Sequence, residues 1–240
     1  MAETAPRKSV LFIGLGSIGE RHLRCFQATG RVTASVCEID PELRGRIAQH
    51  YGVKRAYGDL EEALAIGDFD AAVVATPAHL HVPMATQLAN QGVNLLIEKP
   101  LSTSLDGVEQ LEELVGRNGL IVAMGYVLRC HPSLTAMRSA LESGRFGRPV
   151  QLIIQTGQHF PTYRPAYRDI YYANRATGGG AIQDALTHMI NAAQWLIGPA
   201  DRVVVDAAHK VLEGVEVEDT VGMLSRHGDA LASFALNQHQ

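Results

Sequence analysis

Lys99 is the first residue whose type and position could support proton chemistry. It stands in Glu98-Lys99-Pro100, directly after the apolar run at residues 93–97. Because the residue before a proline is pushed out of the helical region, the chain is expected to bend sharply at Lys99. An amine in such a bend could hold or donate a proton and stabilise a developing alkoxide. We therefore predict a catalytic lysine here; a surface lysine beside a glutamate is the alternative.

Asp184 and His188 form a second candidate pair, four residues apart after the triple glycine at 178–180. A predicted helix over 181–196 would place both on one face, separated by about 6 Å along its axis. An imidazole titrates near neutral pH and can accept a hydroxyl proton, while the carboxylate could bind another hydroxyl. From the spacing alone, an ordinary helical pair with His188 in the core remains open. A metal site is not predicted, since no third ligand stands nearby.

A glycine-rich turn early in the chain is predicted to hold a dinucleotide. The apolar run at 10–13 leads into GLGSIG at 14–19, and residues 20–29 are predicted to be helical. A strand, a tight glycine turn and a helix form the dinucleotide-binding βαβ unit, in which the pyrophosphate lies at the helix N-terminus. The predicted cofactor contacts in this turn are Gly14, Gly16, Ser17, Ile18 and Gly19.

Glu38 ends a second apolar run at 32–37 and lies 19 residues after Gly19. An acidic side chain at this distance accepts hydrogen bonds from the adenosine ribose hydroxyls and would repel a 2′-phosphate. The expected cofactor is therefore NAD rather than NADP. Asp40 is a competing ribose ligand by the same spacing.

The elements that must position these residues divide the chain into two halves. Strands and helices alternate over residues 9–125, which predicts an α/β doubly wound parallel sheet with ligands at the carboxyl ends of its strands. Residues 126–240 differ: helices are predicted at 131–143 and 181–196, and strands at 149–160, 202–211, 215–225 and 230–237. We thus expect an NAD-binding domain at 1–125 and an α+β domain with an open, mostly antiparallel sheet at 126–240.

Arginines and tyrosines cluster in the predicted loop at 158–172, QHFPTYRPAYRDIYY. Tyr163 and Arg164 could stack on a sugar or clamp a carboxylate or phosphate, and Arg129 is a further ligand candidate for an anion or hydroxyl. A polar surface loop is the alternative, although loops of this length are often functional.

Composition excludes several other classes of protein. The formal net charge of −4 indicates neither a nucleic-acid nor a membrane partner, and no apolar stretch is long enough to span a bilayer. Cys25, Cys37 and Cys130 are scattered and form neither a disulfide framework nor a metal-ligand spacing. The sequence therefore predicts a cytoplasmic protein.

Taken together, these motifs resemble the Gfo/Idh/MocA oxidoreductases, a family of sugar and cyclitol dehydrogenases. The resemblance runs from residue 9 to about 237, through GLGSIG at 14–19, VCEID at 36–40, TPAHLH at 76–81, EKPLS at 98–102, GYVLRCHP at 125–132 and GGGAIQDALTHMI at 178–190. It implies that Lys99 is the catalytic-motif lysine and that Asp184 and His188 are the acid/base pair. It also implies that Thr76, Pro77, His81 and Glu98 line the cofactor, and that the open sheet forms a homo-oligomer interface.

The sequence departs from the family pattern in two ways. Where the family often has Asn-Arg-Arg, residues 127–129 are Val-Leu-Arg, so only Arg129 is carried over. Family members also continue past the length of this chain, so we expect the chain to be truncated and its second domain to be incomplete.

The leading functional hypothesis is an NAD-dependent dehydrogenase that oxidises a secondary hydroxyl of a sugar, sugar acid, nucleotide sugar or cyclitol. One alternative is an NAD-dependent glycosidase that works by transient oxidation of its substrate. Another is a non-catalytic NAD-binding sensor, although a sensor would need neither the EKP nor the DxxxH motif.

Overall fold

The computed structural model describes residues 6–239, which form two compact units. The first unit ends at Gly125 and the second begins at Tyr126. Among the described residues, no helix is both long and apolar enough to cross a membrane.

The first unit is built on a parallel six-stranded sheet. Its strands, in the spatial order β3-β2-β1-β4-β5-β6, all pair in parallel. They are β1 (Lys8–Ile13), β2 (Val32–Cys37), β3 (Arg55–Tyr57), β4 (Ala71–Val74), β5 (Asn94–Ile97) and β6 (Val122–Met124). The order reverses between β1 and β4, and ligands of such sheets bind at this switch point, outside the carboxyl ends of the strands.

Helices cover both faces of this sheet because its central strands are apolar on both sides. They are α1 (Ser17–Ala28), α2 (Pro41–His50), α3 (Leu60–Ile66), α4 (His81–Asn90) and α5 (Val108–Asn118). Val10 and Phe12 of β1 pack into the core with Leu23 of α1, whereas Leu11 and Ile13 pack into the core on the opposite face. This confirms the predicted doubly wound parallel sheet.

The second unit contains a mixed four-stranded sheet in the order β7-β10-β9-β8. Its strands are β7 (Gln151–Gly157), β8 (Arg202–Ala208), β9 (Thr220–His227) and β10 (Ala230–Asn237). β8, β9 and β10 are antiparallel neighbours, and β7 pairs with β10 in parallel. The helices are α6 (Pro132–Glu142), the short α7 (Phe160–Tyr163) and α8 (Thr187–Ile197). The predicted mostly antiparallel sheet is confirmed.

Four predicted elements of the second unit differ from the structure. The strands expected over 149–160 and 202–211 end at Gly157 and Ala208. The strand expected over 215–225 begins only at Thr220, because Val215 and Val217 are buried in a small core with Phe160 and Tyr167. The helix expected over 181–196 opens with a π-helical turn, Ile182–Leu186, before α8. A π turn holds more residues than an α turn, so the four-residue spacing does not fix the relative directions of Asp184 and His188 as predicted.

Candidate functional site

The glycine turn between β1 and α1 is closely packed at one end and open at the other. Gly14 has a φ of +80°, and a Cβ atom there would lie 2.8 Å from the Ala75 carbonyl oxygen. A Cβ on Gly19 would lie 1.8 Å from the Gly14 carbonyl oxygen, so the helix can pack on the turn only with glycine at this position. Gly16 is exposed, and a Cβ there would meet nothing within 4 Å in the described part of the chain.

These features fit the pyrophosphate of a dinucleotide. Gly16, Ser17 and Ile18 are exposed, and the N-cap residue of α1, Gly16, makes no side-chain capping hydrogen bond. The first N–H groups of a helix point away from it and carry the positive end of its dipole, which favours an anion.

Glu38 lies beside this turn at the end of β2. Its Oε2 accepts a hydrogen bond from the Leu15 N–H at 2.7 Å, and its Oε1 accepts one from the Asp40 N–H at 3.1 Å. Asp40 instead caps α2, where its Oδ1 accepts from the Glu42 N–H at 2.9 Å. Asp40 therefore caps the helix that follows, whereas the Glu38 carboxylate contacts the glycine turn itself.

Thr76, Pro77 and His81 follow β4. His81 is only 1% exposed; its Nε2 lies 2.7 Å from the Thr76 carbonyl oxygen and its Nδ1 lies 2.8 Å from that of Pro100. The ring therefore joins the loop after β4 to the loop after β5. Burial lowers the pKa of His81, although the two carbonyl oxygens favour its charged form. The Thr76 hydroxyl contacts the Met84 sulfur at 3.7 Å.

Glu98 ends β5 and is buried, with 9% of its surface exposed. Its Oε1 lies 2.7 Å from Nε2 of His22, on α1, and its Oε2 accepts from the Lys99 N–H at 3.2 Å. Burial opposes ionisation of Glu98, but the hydrogen bond and charge of His22, with Lys99, outweigh it and hold its pKa below the ordinary value. Lys99 follows, partly buried, and its peptide bond to Pro100 is cis.

Asp184 lies in the second unit, in the π turn, and is 5% exposed. The Tyr171 hydroxyl donates to its Oδ1 at 2.6 Å, and Nη1 of Arg164 lies 3.9 Å from its Oδ2. Burial, together with the charge of Asp184, raises the pKa of Tyr171, so the phenol keeps the proton that it donates. The loop that was predicted to bind substrate thus reaches the predicted acid/base carboxylate through Tyr171 and Arg164.

His188 lies one residue into α8, next to Thr187. The ring of Tyr126 meets the His188 ring edge-on, with centroids 5.9 Å apart, and its hydroxyl lies 3.0 Å from the Thr187 hydroxyl oxygen. Tyr126 therefore packs against the imidazole, a contact that the sequence did not predict.

The start of the Asp184 segment is fixed by a buried carboxylate. Glu218 is 3% exposed; its Oε1 accepts from the Ile182 N–H at 3.1 Å and its Oε2 lies 2.8 Å from Nη2 of Arg175. A Cβ on Gly180, whose φ is +93°, would lie 2.4 Å from Glu218 Oε1. The third glycine of the GGG motif is therefore required by the carboxylate that holds the next turn.

The remaining predicted ligands lie at the surface of the second unit. Arg129 is exposed, and its Nε donates to the Asn191 Oδ1 on α8 at 2.8 Å. Tyr163 is 69% exposed at the end of α7, and the Arg164 guanidinium lies 5.6 Å from the Phe160 ring centroid. Within residues 6–239, no group of three or more His, Cys, Asp or Glu side chains could hold a metal ion.

Each of the two units matches a known protein family. Residues 8–126 match the oxidoreductase family with an NAD-binding Rossmann fold, and residues 134–240 match the GFO/IDH/MocA C-terminal domain. The chain is 26% identical over 226 residues to 1,5-anhydro-D-fructose reductase of Ensifer adhaerens, covering 92% of this chain and 67% of that protein. It is 27% identical over 190 residues to inositol 2-dehydrogenase of Burkholderia cenocepacia, covering 78% of this chain and 53% of that protein.

Solved structures give the same result. The WlbA dehydrogenase of Bordetella pertussis, in complex with NADH and UDP-GlcNAcA, has a TM-score of 0.90 and 26% identity, covering 99% of this chain and 69% of that one. GenD2 from gentamicin A biosynthesis, in complex with NAD, has a TM-score of 0.88 and 25% identity, covering 100% of this chain and 68% of that one. This chain therefore spans between about half and about two thirds of the length of these relatives.

The family match confirms NAD as the cofactor predicted from the glycine turn and Glu38. The relatives are dehydrogenases and reductases named for sugars and inositols, as the sequence motifs led us to expect. Since the two family matches together cover nearly all of the chain, the protein belongs to the Gfo/Idh/MocA family of oxidoreductases.

Proposed function

We propose that this protein is an NAD-dependent dehydrogenase that oxidises a secondary hydroxyl of a sugar, sugar acid, nucleotide sugar or cyclitol. The observation that carries the proposal is the position of Lys99, at the carboxyl end of β5 in an NAD-binding Rossmann sheet, where ligands of such sheets bind. The relatives, which act on anhydrofructose and inositol, support the substrate class.

In this proposal the first unit holds the cofactor through the open end of the glycine turn, Glu38, and the loops after β4 and β5. His81 contributes by joining these two loops, and Glu98 by its contact with the Lys99 N–H. When bound, NAD supplies a hydride acceptor for the carbon that carries the hydroxyl.

The second unit supplies groups that handle the substrate. His188 accepts the hydroxyl proton, and Lys99 of the first unit stabilises the alkoxide that forms as the proton leaves. Asp184 binds a neighbouring hydroxyl, since its carboxylate stays aligned by the Tyr171 hydroxyl. Arg129, Tyr163 and Arg164 orient the sugar, and the exposure of Tyr163 leaves its ring able to stack.

The proposal also gives each domain a role and places the protein in the cytoplasm. Residues 1–125 form the NAD-binding domain, and residues 126–240 form a substrate and oligomerisation domain. The three cysteines are free thiols, which agrees with a reducing cytoplasm.

The test is spectrophotometric. The protein is mixed with NAD and a panel of uronic acids, nucleotide sugars and inositols, and NADH absorbance is followed. We expect substrate-dependent NADH formation that falls by about 10²–10³-fold in Lys99→Met, because the amine that stabilises the alkoxide is lost. Lys54→Met, at an exposed lysine of the same unit, is the matched control. Bound NAD with no NADH formed from any member of the panel would contradict the proposal.

A further inference from the structure

We propose that His22 is a positioning residue for Lys99 and acts on it through Glu98. The inference rests on the proposed catalytic role of Lys99, but its contacts lie wholly within the first unit. His22 belongs to α1, the helix that starts at the glycine turn, and it is separated from Glu98 by 76 residues.

The contact requires a proton on Nε2 of His22. Nε2 of His22 lies 2.7 Å from Glu98 Oε1. An ionised carboxylate only accepts hydrogen bonds, so Nε2 must carry the proton. The ring also packs edge-on against Phe26 at a centroid distance of 6.4 Å, and Phe26 meets Phe12 of β1 at 5.6 Å.

Glu98 has little freedom to move once His22 holds it. A Cβ on Gly125, directly after β6, would lie 2.8–2.9 Å from the Glu98 carboxyl atoms, so only glycine admits the carboxylate in this position. Oε1 faces His22, and Oε2 accepts the Lys99 N–H. The side chain of Glu98 therefore links α1, the end of β5 and the end of β6.

The contact between Glu98 and the Lys99 N–H affects the direction of the Lys99 side chain. Its N–H is bound to the same carboxylate that His22 holds, so the direction in which the lysine leaves the backbone depends on the His22–Glu98 hydrogen bond. Without the histidine donor, a buried carboxylate would lose a charge-assisted hydrogen bond and reorient. His22 thereby couples the helix that takes the pyrophosphate to the residue proposed to stabilise the alkoxide.

The first experiment measures Lys99 directly, without turnover. The protein, with no nucleotide added, is exposed to a limiting amine-acylating reagent, and mass spectrometry gives the acylation rates of Lys99, Lys54 and Lys210. We expect His22→Phe to raise the Lys99 rate by about tenfold or more, the effect of losing one charge-assisted hydrogen bond, while the other two rates stay the same. His22→Gln restores an N–H donor and should return the Lys99 rate to within about twofold of the starting protein.

Tyr51→Phe is the matched control, since it removes the hydrogen bond from Tyr51 to Glu20, another contact of α1, at 2.9 Å. It should leave Lys99 unchanged. An unchanged or lower Lys99 rate in His22→Phe, an equal rise at all three lysines, or no recovery in His22→Gln would each overturn the proposal.

A second measurement needs no variant. Nitrogen-15 NMR of the histidine rings should show His22 protonated at Nε2; protonation at Nδ1 alone would overturn the proposal. If the lysine labelling and NMR results are as expected but the panel of sugars forms no NADH, the proposed dehydrogenase function fails while the positioning of Lys99 by His22 stands.

Discussion

Two glycines of one turn, Gly16 and Gly19, are required for different reasons. The Cβ that Gly19 lacks would overlap the Gly14 carbonyl oxygen at 1.8 Å, whereas Gly16 faces open space. We therefore propose that Gly16 serves the approach of the cofactor, whereas Gly19 serves the packing of α1 on the turn.

We predict that Gly19→Ala mainly lowers stability, whereas Gly16→Ala mainly weakens NAD binding. Gly19→Ala should lower the free energy of unfolding by about 3 kcal/mol or more, because the backbone must shift. Gly16→Ala should change it by less than about 1 kcal/mol but weaken NAD binding at least about tenfold, because the methyl group meets the pyrophosphate. Thermal unfolding and NAD titration check both, and equal stability of the two variants would contradict the packing argument.

Tyr171 gives a second prediction at the scale of one residue. Tyr171→Phe keeps the ring but removes the donor to Asp184 Oδ1, so we expect turnover to fall by about tenfold, the effect of one hydrogen bond to a charged group. Tyr167→Phe is the control, since it removes a hydrogen bond of 2.7 Å to the Glu213 carbonyl oxygen instead. Steady-state kinetics should show a loss of turnover in Tyr171→Phe alone; equal losses would show that general loosening, not Asp184, is responsible.

The candidate site residues that could be predicted from the sequence are those marked by a local motif or spacing. Glu38 was predicted from its distance to the glycine turn, and the Glu98-Lys99-Pro100 bend from the proline. His22 was missed because its partner lies 76 residues away, and Glu218 because it acts on Ile182, 36 residues earlier. Nothing local in the sequence marks such pairs; only the assembled sheet brings them together.

In the segment between β8 and β9, the carboxylate of Asp219 binds several backbone N–H groups. Asp219 is fully buried and accepts hydrogen bonds from the Lys210, Val211 and Leu212 N–H groups and from the Thr220 hydroxyl. Burial opposes its ionisation, but these donors outweigh it and hold the pKa of Asp219 below the ordinary value. A strand prediction from alternating valines could not foresee this, since Val215 and Val217 turn into a separate small core.

We therefore predict that the stability conferred by Asp219 is lost in acid. Because its folded-state pKa is depressed, its contribution to stability is present above the unfolded-state pKa near 4 and is lost as pH falls through the lower folded-state value. Asp219→Asn should cost about 2–4 kcal/mol at neutral pH, since an amide leaves buried N–H groups without an acceptor.

The melting temperature of Asp219→Asn should also depend less on pH between about 5 and 3 than that of the starting protein. Melting curves over this range check the prediction. Asp229→Asn is the control, because the Asp229 carboxylate is 79% exposed and pairs with Arg148 at the surface. Parallel pH dependence of the starting protein and Asp219→Asn would contradict the role given to Asp219.

The predictions at this scale succeeded where hydrophobic patterns were long. β10 was predicted with its observed bounds, and β1 within two residues. The π turn at Ile182–Leu186 was missed because helical spacing in a sequence does not distinguish an α turn from a π turn. Its position depends on Glu218 and Gly180, which lie on different elements.

For the whole molecule, the outer face of the second sheet is the feature with the widest consequence. One row of this face crosses all four strands, through Ile153 of β7, Ser233 of β10, Leu224 of β9 and Val204 of β8. Its apolar side chains are well exposed: Ile153 by 70%, Leu224 by 60% and Val204 by 57%. Leu231 of β10 adds a further apolar side chain that is 48% exposed. We propose that a second copy of the chain covers this face.

This proposal predicts a charge-sensitive oligomer. Leu224→Lys should shift the protein towards monomer, because a buried ammonium at the centre of an apolar interface is costly. Light scattering coupled to size-exclusion chromatography measures the mass. Ile121→Lys, at an exposed apolar residue of the first unit (75% exposed), is the control and should leave the mass unchanged. A starting protein that is monomeric at all concentrations would refute the interface.

The central place of β1 has a consequence for synthesis on the ribosome. This strand is translated before the other strands of its sheet, yet one of its two partners, β4, comes more than fifty residues later. Gly14 fits against Ala75, so the nascent chain cannot complete its nucleotide-binding turn until β4 has left the exit tunnel and docked. Affinity for nucleotide should therefore appear abruptly during elongation, and stalled chains that end before β4 should lack it.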